Sequence, residues 1–134
     1  MSNPQPDAEK GQNSNVLIYV VDDEPMLLEL ATAILEPQGY DIKPFRDPEL
    51  ALRSYAAAQP QPDLLITDYA MHNMNGMDLI KKFRKVNPQQ KVLLVSGTVA
   101  EDIFADSPIK PDRFLAKPYQ AAQLNRIVKE LLAA

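Results

Sequence analysis

Short apolar runs recur along the chain: VLIYVV from Val16, YDIKPF from Tyr40, DLLIT from Asp63, KVLLVS from Lys91 and RFLAK from Arg113. Each is brief and rich in β-branched or aromatic side chains, which is the pattern of a strand. Between them the period lengthens. Leu27, Leu30, Ala31, Ile34 and Leu35 fall at helical spacing behind Pro25, a residue suited to a first helical turn, with Gly39 as the stop. Pro37 is expected to end that helix a little early. A second helix is predicted over about 48–58, carrying Leu50, Ala51, Leu52 and Tyr55, and a third over about 77–86 with Met77, Ile80, Phe83 and Arg84 in register. Pro108 and Pro111 confine a fourth to about Ala100 to Ser107. The last runs from Tyr119 to Leu132, with Leu124, Ile127, Val128, Leu131 and Leu132 on one stripe.

The strand starts at 16, 40, 63, 91 and 113 leave gaps of 24, 23, 28 and 22 residues, room each time for one helix and two short loops. Right-handed crossovers turn such a repeat into a three-layer, doubly wound α/β fold, a five-stranded parallel sheet with helices on both faces. YDIKPF alternates and contains Pro44, as an edge strand does, whereas VLIYVV and DLLIT are apolar towards both faces, as interior strands are. Residues 1–14 carry no apolar period and are rich in Pro, Asn and Gln. They are expected to be a disordered polar leader ahead of one folded domain over 15–134.

Charge and composition narrow the function. The 14 basic and 18 acidic side chains give a net charge of −4, which disfavours direct binding to nucleic acid or to an anionic membrane. No apolar run approaches the roughly 18 residues of a membrane span, and the N-terminus lacks a signal peptide, so the cytoplasm is the expected location. Without cysteine there are no disulfides, thiolate metal sites or cysteine nucleophiles, and the single histidine, His72, rules out multi-histidine zinc sites.

The predicted topology gathers chemistry at one place. Ligands bind such sheets at the carboxyl ends of the strands, and there the sequence puts Asp22, Asp23 and Glu24, then Asp68, Ser96 and Lys117. Carboxylates about 4 Å apart repel by roughly 4 kcal/mol at an effective dielectric of 20, so the cluster calls for a cation. All-oxygen ligands without His or Cys select a hard ion, and a small octahedral site that keeps several waters suits Mg²⁺. Glu24 reads as a helix-start carboxylate.

VVDDEP, the aspartate in LLITDYAMHNMNGMDL, LLVSGT and RFLAKPY, in this order and each at a strand end, resemble the motifs of the receiver domains of two-component response regulators. The resemblance covers about Asn15 to Ala134. It implies the flavodoxin-like (βα)5 fold with strand order 2-1-3-4-5, and Asp68 as the phosphoacceptor that takes a phosphoryl group from a sensor histidine kinase or a phosphotransfer protein. It further implies that Asp22, Asp23, Asp68 and the backbone carbonyl of Ala70 hold Mg²⁺, and that Lys117 supplies a fixed positive charge. Ser96 and Phe114 take the switch positions, and Lys117-Pro118 resembles the family's cis peptide. A receiver of this kind catalyses only its own phosphorylation and dephosphorylation, controls an unknown downstream protein or domain, and is a monomer or a weak phosphorylation-dependent dimer.

Two features depart from the family pattern. His72 stands beside Asp68 where members usually carry proline, and an inert surface residue or one that tunes phosphate lifetime are both open readings. The proline-laden fourth connection puts the usual output face in question. Ala70 and Thr98 occupy positions that in the family influence hydrolysis of the aspartyl phosphate. The alternatives are a receiver-like scaffold that works without phosphorylation, which would normally have lost one of the key residues, and a Mg²⁺-dependent phosphohydrolase. The latter wants a second aspartate two residues after its nucleophile, where this chain has Glu24 after Asp22. These 134 residues have no room for an output domain, which fits a stand-alone regulator, a phosphorelay shuttle or a piece of a longer protein.

Overall fold

The computed structural model describes residues 16–57 and 60–134, so the expected leader lies outside the described residues, as does Ala58. In chain order the elements are β1 (Leu17–Val21), α1 (Pro25–Leu35), a 3-10 turn (Glu36–Gln38), β2 (Asp41–Phe45), α2 (Pro48–Ala57), β3 (Leu64–Asp68), α3 (Gly76–Val86), β4 (Val92–Ser96), α4 (Ala100–Phe104), β5 (Arg113–Ala116) and α5 (Ala121–Ala133). The strands form one sheet in the order β2-β1-β3-β4-β5, and every neighbouring pair is parallel. YDIKPF is indeed an edge, and VLIYVV and DLLIT are interior.

Alternation along the strands builds a separate core on each face. Ile18, Val20, Ile66, Leu93 and Val95 point to one side, where α1 and α5 cover them with Leu28, Leu35, Leu124 and Val128. Tyr19, Val21, Leu65, Val92 and Leu94 point to the other, against Tyr55 of α2 and Ile80 and Phe83 of α3. Because a parallel sheet is buried on both faces, β3 and β4 are buried at every position.

Four helix expectations are corrected. α1 is apolar along most of its length, so several stripes fit its sequence; packing selects Leu28, Ala31 and Leu35 and leaves Leu30 46% exposed. In α2, likewise, Ala51 and Tyr55 are buried while Leu50 is exposed. α4 stops at Phe104 rather than Ser107. A residue before proline disfavours the helical region, as Ser107 does before Pro108, and Lys110 Nζ caps the helix by donating to the carbonyls of Phe104 at 3.3 Å and Ala105 at 2.9 Å. α5 begins at Ala121, not Tyr119, because Gln120 is its N-cap in a reciprocal capping box with Gln123.

Arg84 falls in the apolar register of α3 for a different reason from its neighbours. Its guanidinium donates to Asp112 Oδ2 at 2.9 Å, to the carbonyl of Lys110 and, through Nε, to the Gln90 carbonyl at 3.3 Å. Asp112 Oδ2 also accepts from the Val92 N–H at 2.7 Å. The segment that links α4 to β5 is thereby pinned to α3.

Candidate functional site

The sheet register explains why the polar residues meet. Val21 pairs with Thr67, Asp68 with Val95, and Ser96 with Ala116, so the ends of β1, β3, β4 and β5 share one edge. Asp22 follows β1 directly, Asp68 closes β3, Ser96 closes β4, and Lys117 is the first residue past β5. Among them Lys117 Nζ lies 2.8 Å from Asp68 Oδ1 and 3.5 Å from Asp22 Oδ2. Carboxylate oxygens of Asp22, Asp23 and Asp68 lie within 4.8 Å of one another. Asp22 and Asp68 are each only 7% exposed.

Backbone amides fix the orientation of these groups. The Glu24 N–H donates to Asp22 Oδ1 at 2.9 Å, and the His72 N–H donates to Asp23 Oδ2 at 3.1 Å. Burial holds the Asp22 carboxyl above the usual carboxylate range, against the opposing pull of the Glu24 amide and of Lys117. For Lys117 burial acts downwards, but the hydrogen bond to Asp68 and the charges of Asp22 and Asp68 outweigh it and raise its pKa above the usual lysine value. The ammonium is therefore charged at neutral pH and shared between two carboxylates.

The loop after β3 is built tightly. The Tyr69 N–H donates to the Val95 carbonyl at 2.9 Å, and the Gly76 N–H donates to the Tyr69 carbonyl at 2.8 Å. A Cβ on Gly76 would press on the Asp68 carbonyl, come within 2.9 Å of Leu94 and reach 3.0 Å from the Tyr69 Cα. Glycine is required there for the loop to close against the strand that carries Asp68. Asn75 caps α3 by accepting from the Asp78 N–H at 2.9 Å, and Asn73 takes a left-handed φ of 72°, which asparagine tolerates. Gly76 is not among the residues expected at the site, although Asn75-Gly76 followed by Asp78 is a legible helix-start signal.

The remaining predicted residues divide by position. Ser96 is buried, and its Oγ accepts from the Thr98 N–H at 2.9 Å, which leaves the hydroxyl proton free to donate. Lys117-Pro118 is cis. Ala70 and His72 lie exposed in the β3–α3 loop, and Thr98 lies exposed after β4. Phe114 is not part of the cluster: it pairs with Leu94 in the sheet and packs on the α4 side, its ring 6.0 Å from that of Phe104. Glu24 is the N-cap of α1 with its side chain exposed, as a helix-start carboxylate should be. A cavity of about 360 Å³ opens beside the cluster, bounded by Leu27 and Leu30 of α1 and by Pro118 and Tyr119, with Asp22, Asp68 and Lys117 at its polar end. Burial pushes the Tyr119 phenol up, although the nearby Lys117 charge acts the other way.

Three carboxylates against one ammonium leave this edge with excess negative charge. Their oxygens lie close together, those of Asp22 and Asp23 anchored by amides and that of Asp68 by Lys117, and suit a small hard divalent cation such as Mg²⁺. Among the described residues no helix is long and apolar enough to cross a membrane.

The sequence profile of the response regulator receiver domain matches residues 18–129. The chain is 32% identical over 118 residues to the probable transcriptional regulatory protein TcrX of Mycobacterium tuberculosis, covering 87% of this chain and 50% of TcrX. It is 29% identical over 119 residues to the alkaline phosphatase synthesis transcriptional regulatory protein PhoP of Bacillus subtilis, covering 88% of this chain and 49% of PhoP. The chain thus spans about half the length of these relatives. Among solved structures, a CheY-like receiver domain protein from Methanospirillum hungatei superposes with a TM-score of 0.80 at 25% identity, covering 88% of this chain and 94% of that one. The response regulator TrrA from Thermotoga maritima, in complex with Mg(2+)-BeF, superposes with a TM-score of 0.75 at 28% identity, covering 87% and 98%. Fold, carboxylate cluster and profile agree, and the chain belongs to the receiver domain family of two-component response regulators.

Proposed function

We propose that Asp68 accepts a phosphoryl group from the phosphohistidine of a sensor histidine kinase or a phosphotransfer protein, and that the acyl phosphate so formed switches the domain. The observation that carries this reading is the buried Asp68 carboxylate at 2.8 Å from Lys117 Nζ, with Asp22 and Asp23 beside it. An Asp68 oxygen attacks phosphorus, the phosphorus–nitrogen bond breaks, and the donor imidazole leaves with the electron pair. Lys117 follows the developing charge, moving its hydrogen bond from the carboxylate to a phosphoryl oxygen. Asp22, Asp23, Asp68 and the Ala70 carbonyl would hold Mg²⁺, which when bound neutralises charge on the phosphoryl oxygens.

The switch begins at Ser96. Its hydroxyl, already accepting from the Thr98 amide, donates to a phosphoryl oxygen and draws the β4–α4 turn with it. The movement alters the space in which Phe114 faces Phe104. Shifting a two-state equilibrium from 1:99 to 99:1 takes about 5.5 kcal/mol, which a few charge-assisted hydrogen bonds of about 1.5–3 kcal/mol each supply.

In this reading the domain is cytoplasmic, catalyses only its own phosphorylation and dephosphorylation, touches no nucleic acid itself, and passes its state to a partner or output domain. Intact mass after incubation with acetyl phosphate and Mg²⁺ tests it. One added phosphoryl group in the wild type, absent in Asp68→Asn and with chelator, is expected. Addition to Asp68→Asn, or continuous release of phosphate without a phosphorylated chain, would overturn it.

A further inference from the structure

The one histidine of the chain has no part in the phosphotransfer just described, yet it is tied to the carboxylate cluster twice. Its backbone N–H donates to Asp23 Oδ2 at 3.1 Å, and its imidazole Nδ1 lies 3.6 Å from the same oxygen. The loop holds it there: the His72 carbonyl accepts from the Met74 N–H at 2.8 Å, across the left-handed Asn73. Two donors that share one ion at bond lengths of about 2.1 Å stand between roughly 3 and 4.2 Å apart, depending on whether they are neighbours or opposite. The Nδ1 to Asp23 spacing falls inside that range. His72 is not among the residues whose donor atoms already lie within 4.8 Å of one another, so the ring has to swing towards Asp22 and Asp68. With its side chain 91% exposed, no packing opposes that rotation.

We propose that His72 Nδ1 is a nitrogen ligand to the divalent ion held by Asp22, Asp23 and Asp68, and that it shifts the site's preference from Mg²⁺ towards borderline ions such as Co²⁺ and Zn²⁺. This rests on the reading of the cluster as a cation site. Its chemistry is that of the donor set: carboxylate and carbonyl oxygens suit Mg²⁺ and Mn²⁺, and imidazole suits Zn²⁺, Cu²⁺, Ni²⁺ and Fe. One imidazole added to an oxygen cage leaves Mg²⁺ binding almost unchanged, because Mg²⁺ keeps water in that position, and strengthens binding of ions that take nitrogen. The His72 N–H to Asp23 bond serves the same end, since it orients Asp23 and places the ring beside it.

The test uses the fact that the chain has a single histidine, whose ring nitrogens give unique resonances in the untagged, ¹⁵N-labelled protein. Titration with Zn²⁺ at fixed neutral pH is expected to move the Nδ1 resonance much more than Nε2, and Mg²⁺ is expected to move neither strongly. Calorimetry is expected to show His72→Ala weakening Zn²⁺ and Co²⁺ by about tenfold or more while Mg²⁺ changes less than about twofold. Equal Zn²⁺ affinities in wild type and His72→Ala, with unmoved ring nitrogens, would overturn the inference and leave the cation site standing. A Zn²⁺ shift at Nδ1 that persists in an Asp22→Asn, Asp23→Asn double variant would also overturn it, because His72 would then bind zinc alone. Failure of the wild type to bind Mg²⁺ at all would instead remove the cation-site reading, and this inference with it.

Discussion

The two faces of the sheet are filled by different means. Towards α1 and α5 the core is aliphatic, made of Ile, Val, Leu and Ala side chains, and it gives way at the site end to a cavity of about 360 Å³. Towards α2 and α3 it is aromatic and directional: Tyr55 stacks on Phe83 at 4.0 Å and 19°, Tyr19 meets both edge-on, and the Tyr55 hydroxyl donates to Gln90 Oε1 at 2.8 Å. Non-directional contacts tolerate a gap, whereas stacked rings and a buried hydrogen bond hold one arrangement. Phe114 and Phe104 continue the aromatic side up to α4, a helix of 5 residues pinned by Lys110 and, through the segment behind it, by Arg84. In the function proposed above, the difference divides the roles: the aliphatic side, with its cavity beside the cluster, leaves Asp68 open to a phosphoryl donor, and the aromatic side carries the change away from Ser96.

The strongest way to break the contrast is Phe83→Ala, which removes the centre of the aromatic stack. It should cost about 3–5 kcal/mol in urea unfolding. Leu28→Ala should cost about 2–5 kcal/mol, while Leu30→Ala, two residues along the same helix, should stay within about 0.5 kcal/mol because Leu30 is half out of the core. Equal effects would mean that the aliphatic side packs as the sequence periodicity alone proposes. Lys117→Ala leaves two buried carboxylates without their cation, so it should destabilise by about 1–3 kcal/mol at neutral pH. Adding Asp68→Asn should recover part of that loss, the coupling appearing in a double-mutant cycle.

Tyr55→Phe is the mildest of the changes expected to destabilise, about 1 kcal/mol, from one lost hydrogen bond. It also carries a sign. Burial raises the Tyr55 phenol above the ordinary value of 10.0, so the folded state retains the proton that the unfolded chain releases. Stability from this group is complete below pH 10.0 and falls as pH rises through its raised folded value. The wild type should therefore lose its advantage over Tyr55→Phe in alkaline unfolding titrations, and a constant difference up to strongly alkaline pH would show that the phenol is not held neutral.

The strands and the site residues were readable because a parallel sheet imposes few choices. Continuous apolar runs such as VLLVS mark interior strands, and the residue that ends each run must lie on the ligand edge. Asp22, Asp68, Ser96 and Lys117 followed from that rule alone. Helix faces were less legible where composition gave no contrast, as in PMLLELATAIL of α1, where tertiary packing chose among equivalent stripes. The end of α4 depended on Lys110, six residues beyond Phe104, and the register of Arg84 on the Lys110 carbonyl and the Asp112 carboxylate in the α4–β5 segment. Contacts of that kind leave no periodic mark. Tyr119, read as helical, proved to line the cavity because the Gln120 and Gln123 capping box sets the start of α5 after it.

In the proposed switch, a phosphoryl group on Asp68 is read through Ser96 on the aromatic side of the sheet. The most direct measurement is the NMR spectrum of the wild type with Mg²⁺, before and after adding beryllofluoride as a phosphoryl mimic. Large shifts are expected for the Phe104 and Phe114 rings and the amides of Ser96 to Ala100, with small shifts for Leu124, Ile127 and Val128. Changes confined to the carboxylate cluster, or largest across α5, would contradict it.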